Sequence, residues 1–144
     1  MTTAPALTLA NAFVYITDPD ASLAFYRDAL GLSVRTDITN GDFRWLTLGT
    51  PTQPELEITL STIGSGGLPM TAADQAAMLD LLAKGLVSAL IFDCDDVDAL
   101  FEAVRGSGAE VLQEPTDQFY GVRDCAFRDP DGNMVRFKTD LARG

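Results

Sequence analysis

Apolar and polar positions alternate along residues 11–17, NAFVYIT, so Ala12, Val14 and Ile16 share one face of a predicted strand, and Asn11, Phe13, Tyr15 and Thr17 share the other. The period then changes. Asp18 is placed to cap a helix with Pro19 at its first position, and Leu23, Tyr26, Ala29 and Leu30 recur at helical spacing until Gly31 ends it. A strand resumes at Leu32, and FRWLTLG and ELEITLS supply two more. In FRWLTLG, Leu46 and Leu48 share one face and Phe43, Trp45 and Thr47 the other.

The same plan returns 77 or 78 residues later. An apolar strand from Ala89 runs into Asp95 and Asp96. A helix then carries Val97, Leu100, Phe101 and Val104 as far as Gly106 and Gly108, and strands follow from Ala109, in GVRDCAF and in NMVRFK. The pattern predicts βαβββ twice, with modules over about residues 8–62 and 87–139 and a linker over about 64–85. Within the linker, residues 64–69 read as a loop and residues 71–84 as a short helix with Met78, Leu79 and Leu82 on one side, a packed connector in preference to a lid. The last hairpin turns at Asp129-Pro130-Asp131-Gly132, where Pro fixes φ, Asp bonds locally and Gly accepts positive φ. Beyond it Val135 and Phe137 point to a core face, and Met134, Arg136 and Lys138 point away from it.

Length and composition narrow the function. A chain of 144 residues suffices for one domain with a real core, and no apolar run approaches a membrane span. The start, MTTAPALTLA, lacks the basic residues of a targeting peptide, so a cytoplasmic location is expected. A formal charge of -11 disfavours nucleic acid and anionic membranes as partners and favours solubility or a cationic small molecule. Cys94 and Cys125 fall in predicted strands and read as reduced thiols. Histidine is absent, which excludes imidazole-based triads and His-ligated zinc.

Two βαβββ units, with DPDASLAFYRDALGLSV after the first strand and FRDPDGNMVRF at the end, resemble the vicinal oxygen chelate superfamily over about residues 8–139. That superfamily holds glyoxalase I, fosfomycin-resistance and extradiol dioxygenase enzymes, and metal-free bleomycin-binding proteins. The resemblance implies an α+β fold of cupped mixed sheets around a cleft, helices outside, often completed by a second subunit. Its metal enzymes draw ligands from the first, fourth, fifth and eighth strands. Carried over, those places are Asn11, Glu57, Ala89 and Arg136. Glu57 alone keeps a ligand of the expected kind and Arg136 brings a fixed positive charge, so neither metal nor another cofactor is expected. The resemblance also makes Glu57 the expected partner of Arg136, either to fill an old metal site or to hold a ligand.

The cleft residues expected to bind are then Asn11, Phe13, Tyr15, Phe43, Trp45, Glu57, Tyr120 and Arg136, with Phe119-Tyr120-Gly121 as an aromatic loop at the mouth. Arg123 and Asp124 are expected to pair at the surface. The leading functional expectation is a metal-free homodimer that binds an aromatic or cationic small molecule, such as an antibiotic. The alternatives are a metal-independent isomerase or cyclase with Glu57 as base and Arg136 on the oxyanion, or a metal-dependent lyase or dioxygenase.

Overall fold

In the computed structural model, residues 4–65 and 69–141 are described. The expected repeat is present. β1 (Asn11–Ile16) leads into α1 (Pro19–Leu23), followed by β2 (Ser33–Asn40), β3 (Phe43–Gly49) and β4 (Glu57–Thr62). After α2 (Ala72–Ala83), β5 (Ala89–Asp93) leads into α3 (Val97–Gly106), β6 (Glu110–Asp117), β7 (Val122–Arg128) and β8 (Met134–Asp140). Each module makes one four-stranded mixed sheet, ordered β1-β4-β3-β2 and β5-β8-β7-β6, with the parallel pair at β1 and β4 or at β5 and β8.

Local chemistry accounts for the helix boundaries. Asp18 accepts from the amides of Asp20 and Ala21, with Pro19 following it, and Asp96 caps α3 through the amide of Ala99. Thr71 and Asp74 form a reciprocal capping box at the start of α2. The first helix departs from expectation. Beyond Leu23 it continues as a π-helical turn over Ala24–Ala29, with the Leu30 amide donating to the Phe25 carbonyl. In α2 only Leu82 is buried, while Leu79 is exposed, so the expected apolar stripe is narrower than the sequence implied. The loop expected over residues 64–69 lies partly outside the described residues.

The helices pack on one side of each sheet, and their apolar faces merge into one core. Val14, Ile16, Leu46, Leu48, Ile58 and Leu60 from the first sheet meet Phe127, Val135 and Phe137 from the second, with Phe25, Tyr26, Phe101 and Val104 between them. Leu46 and Leu48 therefore face the helices, which turns Phe43 and Trp45 to the opposite side of β3. Cys125 is buried and Cys94, just beyond β5, is half-buried. Both are free thiols, and burial pushes Cys125 up to about 12.

The DPDGN turn fastens the modules to each other. One carboxylate oxygen of Asp129 accepts from the amides of Asp131, Gly132 and Asn133, each at 2.9 Å. The other accepts the Tyr26 hydroxyl at 2.7 Å and the Asn133 amide at 2.9 Å. Asn133 also donates to the Tyr15 carbonyl on β1, and Asp131 accepts from Thr17. Burial first, then the Asp129 carboxylate, push the Tyr26 phenol far above its usual value, so it acts only as a donor.

Gly132 fits this turn for two reasons: its φ is +111°, and a Cβ there would come within 2.6 Å of the Leu82 carbonyl at the end of α2. Gly132→Ala is expected to cost about 1–3 kcal/mol or more in urea unfolding. An unchanged midpoint would contradict the fit.

Candidate functional site

β1, β3 and β4 present their second faces away from the core, and alternation decides what stands there. Phe13 and Tyr15 come from β1, Phe43 and Trp45 from β3, and Thr59 and Ser61 from β4. They line a cavity of about 430 Å³ together with Arg44, Thr62 and Ser65. Three rings form its wall. Phe13 meets Trp45 edge-on with centroids 6.1 Å apart, and Phe43 leans against Trp45 at 6.3 Å. Hydroxyls of Tyr15, Thr59 and Ser61 dot the same surface, so the cavity combines a broad apolar wall with a few polar points.

Asn11 and Glu57 sit opposite each other at the start of β1 and β4, below this wall. The Asn11 amide donates to the Thr59 hydroxyl at 3.2 Å, and the Thr47 hydroxyl donates to Glu57 at 2.8 Å. They hold Thr59 and Thr47 and are not among the residues lining the cavity.

The remaining expected site residues belong to the second module, Tyr120 in the turn between β6 and β7 and Arg136 on β8. Arg136 donates from Nη1 to Asp124 at 3.0 Å and to the side-chain Oε1 of Gln113 at 3.1 Å. The expected ion pair between Glu57 and Arg136 is therefore not formed. The eighth-strand place lies on the face of its own sheet and finds an acid there, on the neighbouring strand. Asp124 is 1% exposed, which also overturns the expected surface pair with Arg123. Arg123 points to the other face and binds Asp98 and Asp117, because Cys125 and Phe127 turn inward and carry Arg123 with them.

Asp124 gathers the local donors. It accepts from Gln113 at 2.7 Å, Gln118 at 2.9 Å and the Tyr120 hydroxyl at 3.3 Å, besides Arg136. Tyr120 thus belongs to the Arg136 network and not to the ring wall, while its neighbour Phe119 stands fully in solvent. Burial pushes the Asp124 carboxyl upward. The donors Gln118 and Gln113 and the Arg136 charge outweigh that effect and hold it below the usual carboxylate range.

The fold that carries these faces is shared with known proteins. A family model described as Glyoxalase/Bleomycin resistance protein/Dioxygenase superfamily matches residues 8–137. The chain belongs to that superfamily. It is 27% identical over 141 residues to a lactoylglutathione lyase of Haemophilus influenzae, covering 91% of both chains. Among solved structures it resembles UcmS2 at 31% identity and a TM-score of 0.84, covering 93% of this chain and 98% of that one. TnmS3, an antibiotic binding protein from a Streptomyces species, superposes with a TM-score of 0.71 at 21% identity, covering 96% and 99%, and shows the same fold.

The superfamily also includes metal enzymes, and the donor set here does not fit a divalent ion. Of Asn11, Glu57, Ala89 and Arg136, Glu57 alone is a carboxylate and one of its oxygens is engaged by Thr47, while Arg136 is cationic. Among the described residues no group of three or more His, Cys, Asp or Glu is arranged to hold a metal.

Some of the polar lining was missed in the sequence although the signal was present. In EITLST, Glu57, Thr59 and Ser61 alternate against Ile58 and Leu60, and in VRDCAF the inward Cys125 and Phe127 place Asp124 beside Arg136. The depressed Asp124 value gives a pH signature. Its contribution to stability is complete above the unfolded Asp value, about 3.9, and is lost as pH falls through the folded one. Asp124→Asn should therefore lie furthest below wild type near neutrality and converge with it in acid. Urea unfolding across that range that shows a constant gap would contradict the assignment.

Proposed function

We propose that this protein is a small-molecule binding protein that holds a flat aromatic ligand against Phe13, Trp45 and Phe43, in a cleft closed by the second module of a partner copy. The observation that carries this reading is the ring wall. Three aromatic side chains stand around a cavity with isolated hydroxyls, on a face the core does not use. Sequestration needs affinity alone, and the antibiotic binding stated for TnmS3, a fold neighbour, is the kind of role such a wall serves.

The dimer follows from what a single chain leaves open. The described lining of the cavity comes from module one and from Ser65 just beyond it, and the Arg136 network stands on module two. Phe13 is 51% exposed on one face and Ile91 is 61% exposed on the other, and each lies on an edge strand. A second copy that sets module two over module one covers both and encloses the ligand.

Trp45 is the sole tryptophan of the chain, so its fluorescence reports on the wall directly. Planar polycyclic aromatics are expected to quench it saturably, and aliphatic molecules of similar volume are not. Trp45→Ala should weaken binding, measured by calorimetry, by about 2 kcal/mol while the fold persists. Quenching by neither class, or affinity indifferent to Trp45, would rule the reading out. Sedimentation at micromolar concentration should give a dimer, and a monomer there would remove the shared cleft.

A further inference from the structure

The Arg136 guanidinium is held from one side only. Its Nη1 is fixed by two acceptors on two strands, Asp124 on β7 and Gln113 on β6. Among the described residues the one hydrogen-bond partner of Nη2 is the Met134 sulfur at 3.8 Å, a poor acceptor. Asp124 does not require the remaining donors, since Gln113, Gln118 and Tyr120 already reach its two oxygens. Gln113 completes the clamp, because its amide nitrogen holds Asp124 while its oxygen takes Arg136. The usual entropy cost of ordering a long arginine is thus met before any ligand arrives.

The two residues paired with Arg136 across the sheet are apolar. In the sheet Arg136 lies between Ala126 on β7 and Ile91 on β5. Ala126 raises only a methyl group, and Ile91 is largely exposed. An unspent donor edge beside a low apolar floor complements the rim of an aromatic ring that carries an oxygen. It offers nothing to an ammonium group.

We propose that Arg136 receives an acceptor oxygen of carboxylate or phenolate type at the rim of the aromatic ligand, with Asp124 as the residue that positions Arg136. This rests on the aromatic-wall reading and adds the charge preference. It reverses what the net charge of -11 implies, because at physiological salt charges are screened over about 8 Å and the groups that touch the ligand decide its sign.

The test uses two probes with one ring system, 2-naphthoate and 2-naphthylmethylammonium, titrated by calorimetry against the full chain. Wild type is expected to prefer the naphthoate by about tenfold or more, the range of a charge-assisted hydrogen bond. Arg136→Gln should bring the preference to near unity without weakening the ammonium probe, and Arg136→Lys should retain part of it. Asp124→Asn should lower naphthoate affinity alone, whereas a merely structural loss would lower both. Gln113→Ala, which leaves Asp124 its other donors, replaces it if Asp124→Asn does not fold. A preference that survives Arg136→Gln, or equal binding by wild type, overturns the anchor and leaves the ring wall standing. Binding of neither probe overturns the wall and the anchor together.

Discussion

The architecture depends on one buried carboxylate. Asp129 is 4% exposed and lies where the two modules touch, so its charge must be answered entirely by protein donors. Its own turn supplies backbone amides, and Tyr26 reaches it from the first helix of the other module. Asn133, held by the same carboxylate, carries the link on to β1. A tight hairpin turn thereby becomes the joint between modules, and the stretch that reads as turn chemistry sets their relative orientation. Removing the Tyr26 hydroxyl would leave that charge one donor short, a cost of about 1–3 kcal/mol for a buried group.

The joint decides where function can reside. With the helices and the Asp129 turn between the sheets, the apolar sides of both meet in a shared core. The other sides of both sheets face away from that core. One carries rings and hydroxyls, and the other carries a clamped arginine above a small apolar floor. The positions that serve metal in the enzymes of the superfamily are thus divided between Asn11 and Glu57, held by Thr59 and Thr47, and a hydrogen-bonded cation. A site of that composition is suited to hold a molecule, with the rings giving area and the guanidinium giving orientation.

Most of the fold was legible because the chain states its plan twice. The change from period two to helical spacing, the cap at Asp18 and the DPDGN turn all follow from local rules, and each was found where expected. The ring wall was legible for the same reason, since Leu46 and Leu48 settle which way Trp45 points. The partner of Arg136 was misread because a resemblance assigns positions and not contacts. Glu57 holds the equivalent place in module one, but a strand neighbour within one sheet is nearer than any residue of the other module, and Asp124 is that neighbour. The π-helical turn after Leu23 had no sequence signal in the spacing of Tyr26, Ala29 and Leu30, which a regular helix satisfies as well.

The central claim is that one chain contributes the ring wall and its partner contributes the arginine. Co-expression of Trp45→Ala chains with Arg136→Gln chains, followed by purification of the mixed dimer through two different tags, tests this directly. If the cleft is shared between copies, the mixed dimer has one cleft with both lesions and one with neither, so calorimetry with 2-naphthoate should find half the wild-type number of sites at wild-type affinity. If wall and arginine serve the same ligand within one chain, every cleft carries a lesion, and the absence of any full-affinity site would contradict the account.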